Sequence, residues 1–432
     1  MTAVTSQSAE SLARKGYSVA ITVASKSRER AKMSTAEVIS KDETKVVQLA
    51  EELLKKCPPS KTSVVDFLGA QYDMGLAWVH FPVGLGGLGI SPKFQKAVNE
   101  VLYPAGAPNP MYRNPIGHGM CGPTVAEWGS DAQKKRYLRP LFTGEEIWCQ
   151  LFSEPGSGSD FAGLSSKGTK DGEEWIANGQ KVWTTLAHLS RFGLLVVRTD
   201  PEAVKHAGLT AFVVDMQAPG VEVRPLRQMT GEAEFNEVYF TDVRISEAEM
   251  LGSPGDGWRV SLTTLMNERV SIGGSMPQRG SGSIASAVNA WKALSPDQQD
   301  SATRDELMKL WIRAEVLRLT NIRANTTRKM GTPGPEGSIG KMAGADLNKE
   351  TYAFAVNLQG ANGMLYGSYA MTRPETAMAF DGVQKAFLRS RANTIEGGTT
   401  EVMKNILGER VLGLPGDVRV DREIAWNKVA RN

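Results

Sequence analysis

Residues 148–160 have the sequence WCQLFSEPGSGSD. They lie where the spacing of apolar residues along the chain changes from a helical period to a strand period. A short apolar run, typical of a strand, is followed by alternating hydroxyl residues and glycines. Such a stretch exposes backbone N–H and side-chain O–H donors with little bulk, which suits a polar ring edge or a pyrophosphate. Taken alone, it also fits a β-turn capped by serines, so the neighbouring sequence has to be considered with it.

The pattern before this stretch is helical. DETKVVQLAEELLKKC, which begins at Asp42, has apolar residues at spacings of three and four, acids at its start and lysines at its end. Both charge placements suit the helix dipole. PVGLGGLGI, residues 82–90, has several glycines but no G-x-G-x-x-G after a strand, which favours a turn over a phosphate loop. We therefore predict an N-terminal helical domain over residues 41–147.

The pattern changes to a period of two over residues 148–247. EWIANGQKVWTT, FGLLVVR, LTAFVVD and EFNEVYFTDVRIS are rich in Val, Phe, Tyr and Thr and are bounded by turn-forming residues. Asn178-Gly179 predicts a tight hairpin turn, because both residues tolerate positive φ. Over residues 248–418 the apolar residues again recur with a period of 3.6, which predicts a C-terminal helical bundle. We interpret residues 419–432 as a tail. The predicted fold class is mainly α with an inserted β domain.

Composition argues against several classes of protein. A formal charge of +3 on 432 residues gives no reason to expect nucleic acid or an anionic membrane as partner, and no apolar run is long enough to span a bilayer. The three cysteines are widely spaced and the four histidines form no HxxxH or HxH pattern, so neither a disulfide framework nor a metal site is predicted. A reducing, cytoplasmic setting fits best. Residues 1–40 are small and polar, and we interpret them as a disordered extension or as a leader from an early start codon.

Two further stretches could face a flat ligand. In NGQKVWTT, residues 178–185, Trp183 offers an aromatic face and Thr185 a hydroxyl two residues later, although a core tryptophan explains the pattern equally well. In TIEGGTTEVMKNILGERVLGLP, residues 394–415, Glu396 stands beside two glycines and two threonines. Backbone N–H groups are bare at such glycines, and a carboxylate in that place could be a catalytic base.

Together, in this order and with helices on either side, the three stretches resemble the acyl-CoA dehydrogenase family of FAD flavoproteins. The resemblance covers residues 42–415 and is carried by LFSEPGSGSD, NGQKVWTT and the final stretch quoted above. It implies an N-terminal helical domain, a middle β-barrel-like domain and a C-terminal four-helix bundle. It also implies FAD as cofactor, an acyl-CoA as substrate of an α,β-dehydrogenation without a metal, and an electron-transfer flavoprotein as acceptor. The implied assembly is a homo-oligomer, a dimer or tetramer, or a heteromer with a related chain.

The resemblance assigns roles to individual residues as well. Positions that contact the flavin are implied at Gln150, Phe152, Ser153, Ser159, Trp183, Thr185, Gln359, Gly360, Thr399 and Glu401. Among these, Ser159 would lie near the pyrophosphate or the CoA arm, Trp183 would pack on the flavin, and Thr185 would hydrogen-bond near its N5. Contacts with the substrate are implied for Ser159, Arg269 and Gly397.

Two glutamates compete for the role of base. Many members of the family carry it in a Tyr-Glu-Gly-Thr motif, and an ungapped match to that motif puts Gly397 at the base position, one residue after Glu396. A branch that resembles the isovaleryl and long-chain enzymes has its base on an earlier helix, in a Glu-Arg pair. TTLMNERVSIGG contains that pair as Glu268-Arg269. We therefore expect Glu268 to be the base and keep Glu396 as the second choice.

One element of the family pattern is missing. The Arg-x-x-Phe-Gly segment that reaches the flavin across a subunit interface is replaced by RANTTRKMGTPGPEGSIGKM, residues 323–342, in which Arg323 or Arg328 could compensate. The chain could therefore belong to a heteromeric pair in which two related chains complete one flavin site. Two other interpretations stay open. One is a flavin oxidase or monooxygenase of the same fold that uses O₂, and the other is a non-catalytic partner subunit.

Overall fold

The computed structural model describes most of the chain, namely residues 40–273, 278–329, 336–376, 382–419 and 421–430. The interpretation of residues 1–40 as an extension or leader therefore lies, apart from Ser40, outside the described residues.

The N-terminal part is helical, as its spacing predicts. Its α-helices are α1 (Lys41–Lys56), α2 (Val64–Asp73), α3 (Gln95–Leu102), α4 (Gly122–Trp128) and α5 (Asp131–Thr143). The hydroxyl of Ser40 accepts a hydrogen bond from the backbone N–H of Glu43 at 3.1 Å and so caps α1. Ser130 and Gln133 form a reciprocal capping box at the start of α5, which fixes where that helix begins.

The middle part is a single β-sheet. Its strands are β1 (Trp148–Leu151), β2 (Lys167–Asp171), β3 (Glu174–Thr185), β4 (Phe192–Arg198), β5 (Leu209–Asp215), β6 (Val221–Leu226), β7 (Phe235–Ser246) and β8 (Met250–Leu251). The strand order is β6-β7-β3-β2-β4-β5-β8, and β1 pairs in parallel with β4. β4 is buried along its whole length, which explains the unbroken apolar run FGLLVV before Arg198.

The hairpin predicted at Asn178-Gly179 is wrong. Both residues lie inside β3, which pairs with β7, and the pairing register shifts between Ala177 and Gly179. This shift marks a β-bulge. A Cβ atom at Gly179 would come within 2.3 Å of Ser166 Oγ, so only glycine fits the packing there. The tight turn of this region is at Gly172, between β2 and β3, where φ is +62°.

The C-terminal part returns to helices. They are α6 (Gly257–Gly273), α7 (Ser283–Lys292), α8 (Ser301–Lys329), α9 (Glu336–Asn357), α10 (Val383–Ser390) and α11 (Thr400–Arg410). Helix α9 packs against α7, α8, α10 and α11, around a core that includes Leu307, Leu347 and Phe354. The order of helices, sheet and helices confirms the predicted fold class.

A shared aromatic core joins the N-terminal helices to the sheet. The ring of Tyr137 on α5 meets Trp148 on β1 at 5.2 Å and Phe192 on β4 at 5.0 Å between centroids. The strand that leads into the glycine-rich stretch is thereby anchored in this core. None of the described helices is apolar enough over a sufficient length to cross a membrane.

Candidate functional site

The first two sequence stretches lie side by side and are cross-linked by hydrogen bonds. The backbone N–H of Val182 donates to the carbonyl of Ser153 at 2.9 Å. The ammonium of Lys181 donates to the carbonyl of Phe152 at 3.1 Å and to Glu154 Oε1 at 2.8 Å. Because β3 continues directly into Trp183, these bonds fix the position of the tryptophan relative to the glycine-rich stretch.

The carboxylate of Glu154 organises the glycine-rich stretch from inside. It is buried, and it accepts backbone N–H bonds from Ser165 at 2.7 Å and from Ser166 at 3.0 Å. Burial alone would raise the pKa of Glu154, but the Lys181 ammonium and the N–H donors hold it below its usual value. We call residues 154–166 the motif loop. The buried Glu154–Lys181 ion pair therefore holds the two ends of this loop together. The crest of this loop is open, because a Cβ atom at Gly156 would meet nothing within 4 Å.

Trp183 is presented to the outside rather than packed in the core. Its side chain is 58% exposed, and its backbone has a φ of 61°, a conformation that bulky residues rarely adopt. The ring meets Phe235 edge-on at 5.8 Å, and Thr185 is half-buried beside it on the same strand. The core-tryptophan interpretation is therefore wrong for Trp183. An exposed indole face next to a bare backbone loop can take a flat heterocycle with a diphosphate arm.

The carboxylate of Glu268 lies against the C-terminal glycine pair. Glu268 is half-buried on α6. A Cβ atom built on Gly397 would lie 3.5 Å from Glu268 Oε1, which is ordinary van der Waals contact. Gly397 and Gly398 have φ angles of +63° and +91°, so the backbone turns in a way that favours glycine. The earlier helix and the final motif therefore meet at one point.

Glu396 is engaged in ionic contacts. Its carboxylate accepts two hydrogen bonds from Arg389, at 3.1 and 2.8 Å, and one from the Asn393 amide at 2.7 Å. The guanidinium of Arg389 is buried, lies 3.5 Å from a carboxylate oxygen of Glu234, and sits over the Phe235 ring at 5.7 Å. Because Phe235 also contacts Trp183, this network connects the exposed indole to the residue next to Gly397.

Lys341 is a further cation at the glycine pair. From α9 its ammonium donates to the carbonyl of Gly398. Burial lowers the pKa of Lys341, although nearby carboxylates, Glu268 among them, oppose that shift. The hydroxyl of Thr399 accepts from the N–H of Val402 and caps α11, and Glu401 is exposed in the first turn of that helix.

The remaining candidate residues are more scattered. Gln150 is half-buried on β1, Ser159 is exposed on the motif loop, and the Phe152 ring is buried against Phe161 at 4.9 Å. Gln359 accepts a hydrogen bond from Gln384 at 2.6 Å, and the adjacent Gly360 is exposed where α9 ends.

Three of the candidate residues are arginines of helices α6 and α8. The side chains of Arg269 and Arg328 lie outside the described part of the structure. Arg323 is exposed on α8.

The sequence interpretation missed the residues that hold the site together. The sequence motifs assign no role to Lys181, Glu234 or Arg389, and they assign none to Glu154, which stands inside one of them. A signal for Lys181 was present, since a lysine stands among the apolar and β-branched residues of a predicted strand. A buried charge requires a partner, and Glu154 was the nearest acid in the neighbouring motif.

Comparison with known proteins covers most of the chain. The models for the N-terminal, middle and C-terminal domains of acyl-CoA dehydrogenases match residues 35–145, 149–243 and 255–412. The chain is 36% identical over 359 residues to the acyl-CoA dehydrogenase IpdE1 of Mycolicibacterium smegmatis, covering 80% of this chain and 86% of that protein.

Two solved structures show the same architecture. The ChsE4–ChsE5 complex from Mycobacterium tuberculosis is 25% identical with a TM-score of 0.64, and the match covers 88% of this chain and 99% of that chain. A glutaryl-CoA dehydrogenase from Mycobacterium smegmatis in complex with FADH2 is similar in fold, with 18% identity and a TM-score of 0.63 over 90% of this chain and 98% of that chain.

Proposed function

The chain belongs to the acyl-CoA dehydrogenase family, and on that basis we propose that it oxidises an acyl-CoA thioester between Cα and Cβ with Glu268 as the base. The family membership makes it an FAD-dependent oxidoreductase of lipid metabolism. What the chain adds to that general description is the arrangement of its own residues around the glycine pair.

The described residues fit FAD. Trp183 offers an exposed aromatic side chain, and the motif loop beside it has open space over its backbone at Gly156. These residues would hold the ring system and the diphosphate arm, with Thr185 at the ring edge and Thr399 nearer the adenine half. The chemistry that FAD supplies when bound is acceptance of the hydride that leaves Cβ.

One observation carries the assignment of the base. Glu268 Oε1 lies 3.5 Å from the position of a Cβ atom on Gly397, which is the base position of the Tyr-Glu-Gly-Thr motif. The two positions at which the family carries its base, Gly397 and Glu268 in this chain, therefore lie close together. In this chain the carboxylate near them belongs to Glu268. Glu396 is one residue away, but Arg389 and Asn393 occupy its oxygens.

In the proposed reaction the Glu268 carboxylate takes a proton and the substrate loses a hydride. The Cα–H bond breaks and its proton passes to Glu268, the β-hydrogen leaves with its electron pair, and the Cα=Cβ double bond forms. Negative charge that develops on the thioester oxygen needs fixed donors. The turn at Gly397 and Gly398, held by Lys341 through the Gly398 carbonyl, is the part of the chain that would present backbone N–H groups there.

We also propose that the chain works as an oligomer, with an electron-transfer flavoprotein as electron acceptor. Helix α8 exposes an apolar stripe at spacings of four, four and three residues, made of Met308, Ile312, Val316 and Leu319. Such a stripe on one helix face fits burial against another chain. A related chain is a suitable partner, since the relatives include a complex of two proteins, ChsE4 and ChsE5.

Anaerobic titration with a panel of acyl-CoA thioesters tests the proposal. We expect the protein to purify with bound flavin and the flavin absorbance to bleach with at least one thioester, in a preparation whose mass exceeds that of one chain. Rapid re-oxidation in air would indicate an oxidase instead. A flavin-loaded protein that no thioester bleaches, alone or after co-expression with a related chain, would contradict the proposed reaction.

Replacing Trp183 by alanine tests the flavin platform separately from the fold. Because this side chain is mostly exposed, its loss should leave the unfolding midpoint of the flavin-free protein nearly unchanged. FAD affinity should fall about tenfold or more, since stacking on an aromatic ring contributes roughly 1–3 kcal/mol. Trp183→Phe should retain most of the affinity. Equal FAD affinity in Trp183→Ala and wild type, measured by flavin fluorescence, would remove this residue from the site.

A further inference from the structure

The C-terminal residues 421–428, here called the clamp, pack onto the loop between β4 and β5. The backbone N–H of Trp426 donates to the carbonyl of Ala203, and that of Asn427 donates to the carbonyl of Pro201, both at 2.9 Å. Ala425 forms a β-bridge with Val204. The segment predicted as a tail is therefore hydrogen-bonded to this loop of the middle part.

The clamp reaches the motif loop through a buried arginine. Trp426 is buried, and the guanidinium of Arg198 lies 4.1 Å from the centre of its ring. Arg198 in turn donates to the carbonyls of Ala162 at 2.5 Å and Leu164 at 3.2 Å, both within the motif loop. The Trp426 indole thus packs against the Arg198 guanidinium, and the N–H groups of the same guanidinium hold the backbone of the motif loop.

A second connection is ionic. The ammonium of Lys205 bridges two carboxylates, Asp160 of the motif loop at 2.7 Å and Asp421 of the clamp at 2.6 Å. Gly163 leaves room for this bridge, since a Cβ atom there would come within 2.6 Å of Asp160 Oδ2. Lys205 also holds the pKa of Asp421 below its usual value. The Lys205 bridge and the Trp426–Arg198 contact both reach the motif loop, and they are linked, because Arg198 Nη1 donates to the carbonyl of Lys205 at 3.0 Å.

We propose that Asp421 and Trp426 are positioning residues that keep the motif loop in its ligand-binding conformation. The proposal rests on the assignment of the motif loop to FAD and acyl-CoA binding, because neither clamp residue belongs to the motifs that touch the ligands. Without the clamp, the loop would sample other conformations, and binding would have to restore the competent one. If the competent fraction falls to about one tenth, the apparent dissociation constant rises about tenfold while the bound state stays the same.

The test combines a structural measurement with kinetics on the full-length protein. In the absence of ligand, hydrogen exchange at the amides of the motif loop should be about tenfold faster in Asp421→Asn and Trp426→Ala than in wild type. In flavin reduction by a reactive acyl-CoA, KM should rise about tenfold, and kcat at saturation should stay within about twofold. Trp426→Phe, which keeps an aromatic ring over Arg198, should restore both properties. Glu423→Gln, an exposed position of the same segment, is the matched control.

Each result supports or contradicts the proposal that Asp421 and Trp426 position the motif loop. If Asp421→Asn and Trp426→Ala exchange and bind like Glu423→Gln, the clamp does not position the loop. The same conclusion follows if these variants lower only the unfolding midpoint and leave KM unchanged. Should Trp426→Ala fail to fold, Asp421→Asn is the milder change and carries the test. If no acyl-CoA reduces the wild-type flavin, the proposed reaction fails, but the exchange measurement still tests the clamp.

Discussion

Glu268→Gln should abolish reduction of the bound flavin by an acyl-CoA while the flavin stays in place. Glutamine has the same shape as glutamate but cannot take the α-proton at neutral pH. Loss of a general base lowers rates by typically 10²–10⁴-fold, and we expect a fall of about 10³-fold or more here. Stopped-flow absorbance under anaerobic conditions measures the rate, and the flavin spectrum before mixing shows that the site is intact.

Glu396→Gln is the matched control, because it makes the same chemical change one residue away from Gly397. It removes the charge that accepts two hydrogen bonds from Arg389, so a loss of about 1.5–3 kcal/mol in stability is expected. Its reduction rate should remain within about tenfold of wild type, since Glu234 still lies near the arginine and Glu268 is unchanged. The opposite pattern, with Glu396→Gln inactive and Glu268→Gln active, would give the role of base to Glu396.

The sequence alone predicted the helical and β regions well because their periods differ. The prediction from sequence failed where the same short sequence is compatible with two local structures. Asn178-Gly179 suits a hairpin turn, but it also suits a bulge, and the pairing of β3 with the distant β7 selects the bulge. Strand β2 was missed for a different reason. KGTKD is polar and mostly exposed, so it has no alternating apolar pattern to reveal it.

The candidate site was predictable to the extent that short motifs carry it. Trp183 and the glycine pair could be named from their stretches, while the preference for Glu268 came from a resemblance to a family branch. The approach of the Glu268 carboxylate to Gly397 brings α6 to the turn before α11, and no local pattern predicts which distant residues come together. The same holds for Arg389, whose partners Glu234 and Glu396 come from separate parts of the chain.

Lys181→Met should cost more stability than any surface charge change in the sheet. The Lys181 side chain is 0% exposed and that of Glu154 is 7% exposed, with 2.8 Å between their charged atoms. Removing one partner of a buried pair leaves an uncompensated charge, which typically costs about 3–5 kcal/mol. Urea denaturation followed by tryptophan fluorescence measures the change. The flavin content should fall as well, because Lys181 also binds the carbonyl of Phe152 beside Trp183.

Lys170→Met on β2 is the control for this substitution. Lys170 pairs with Glu247 at 2.7 Å, but the two side chains are 49% and 40% exposed, so the change should cost less than about 1 kcal/mol. A double variant, Lys181→Met with Glu154→Gln, removes both buried charges and should recover part of the loss. If the double variant is no more stable than Lys181→Met, the effect comes from packing and not from the unpaired carboxylate.

The pH dependence gives a further check on this explanation. In wild type the pKa of Glu154 is lowered in the folded state, so its contribution is present above the unfolded pKa, near 4.5, and is lost as pH falls. In Lys181→Met the ammonium is gone, burial raises the pKa of the folded carboxyl, and protonation relieves the buried charge. The difference in stability between the two proteins should therefore shrink as pH is lowered from 7 toward 4. A difference that stays constant over this range would show that Lys181 does not stabilise the fold through the charge of Glu154.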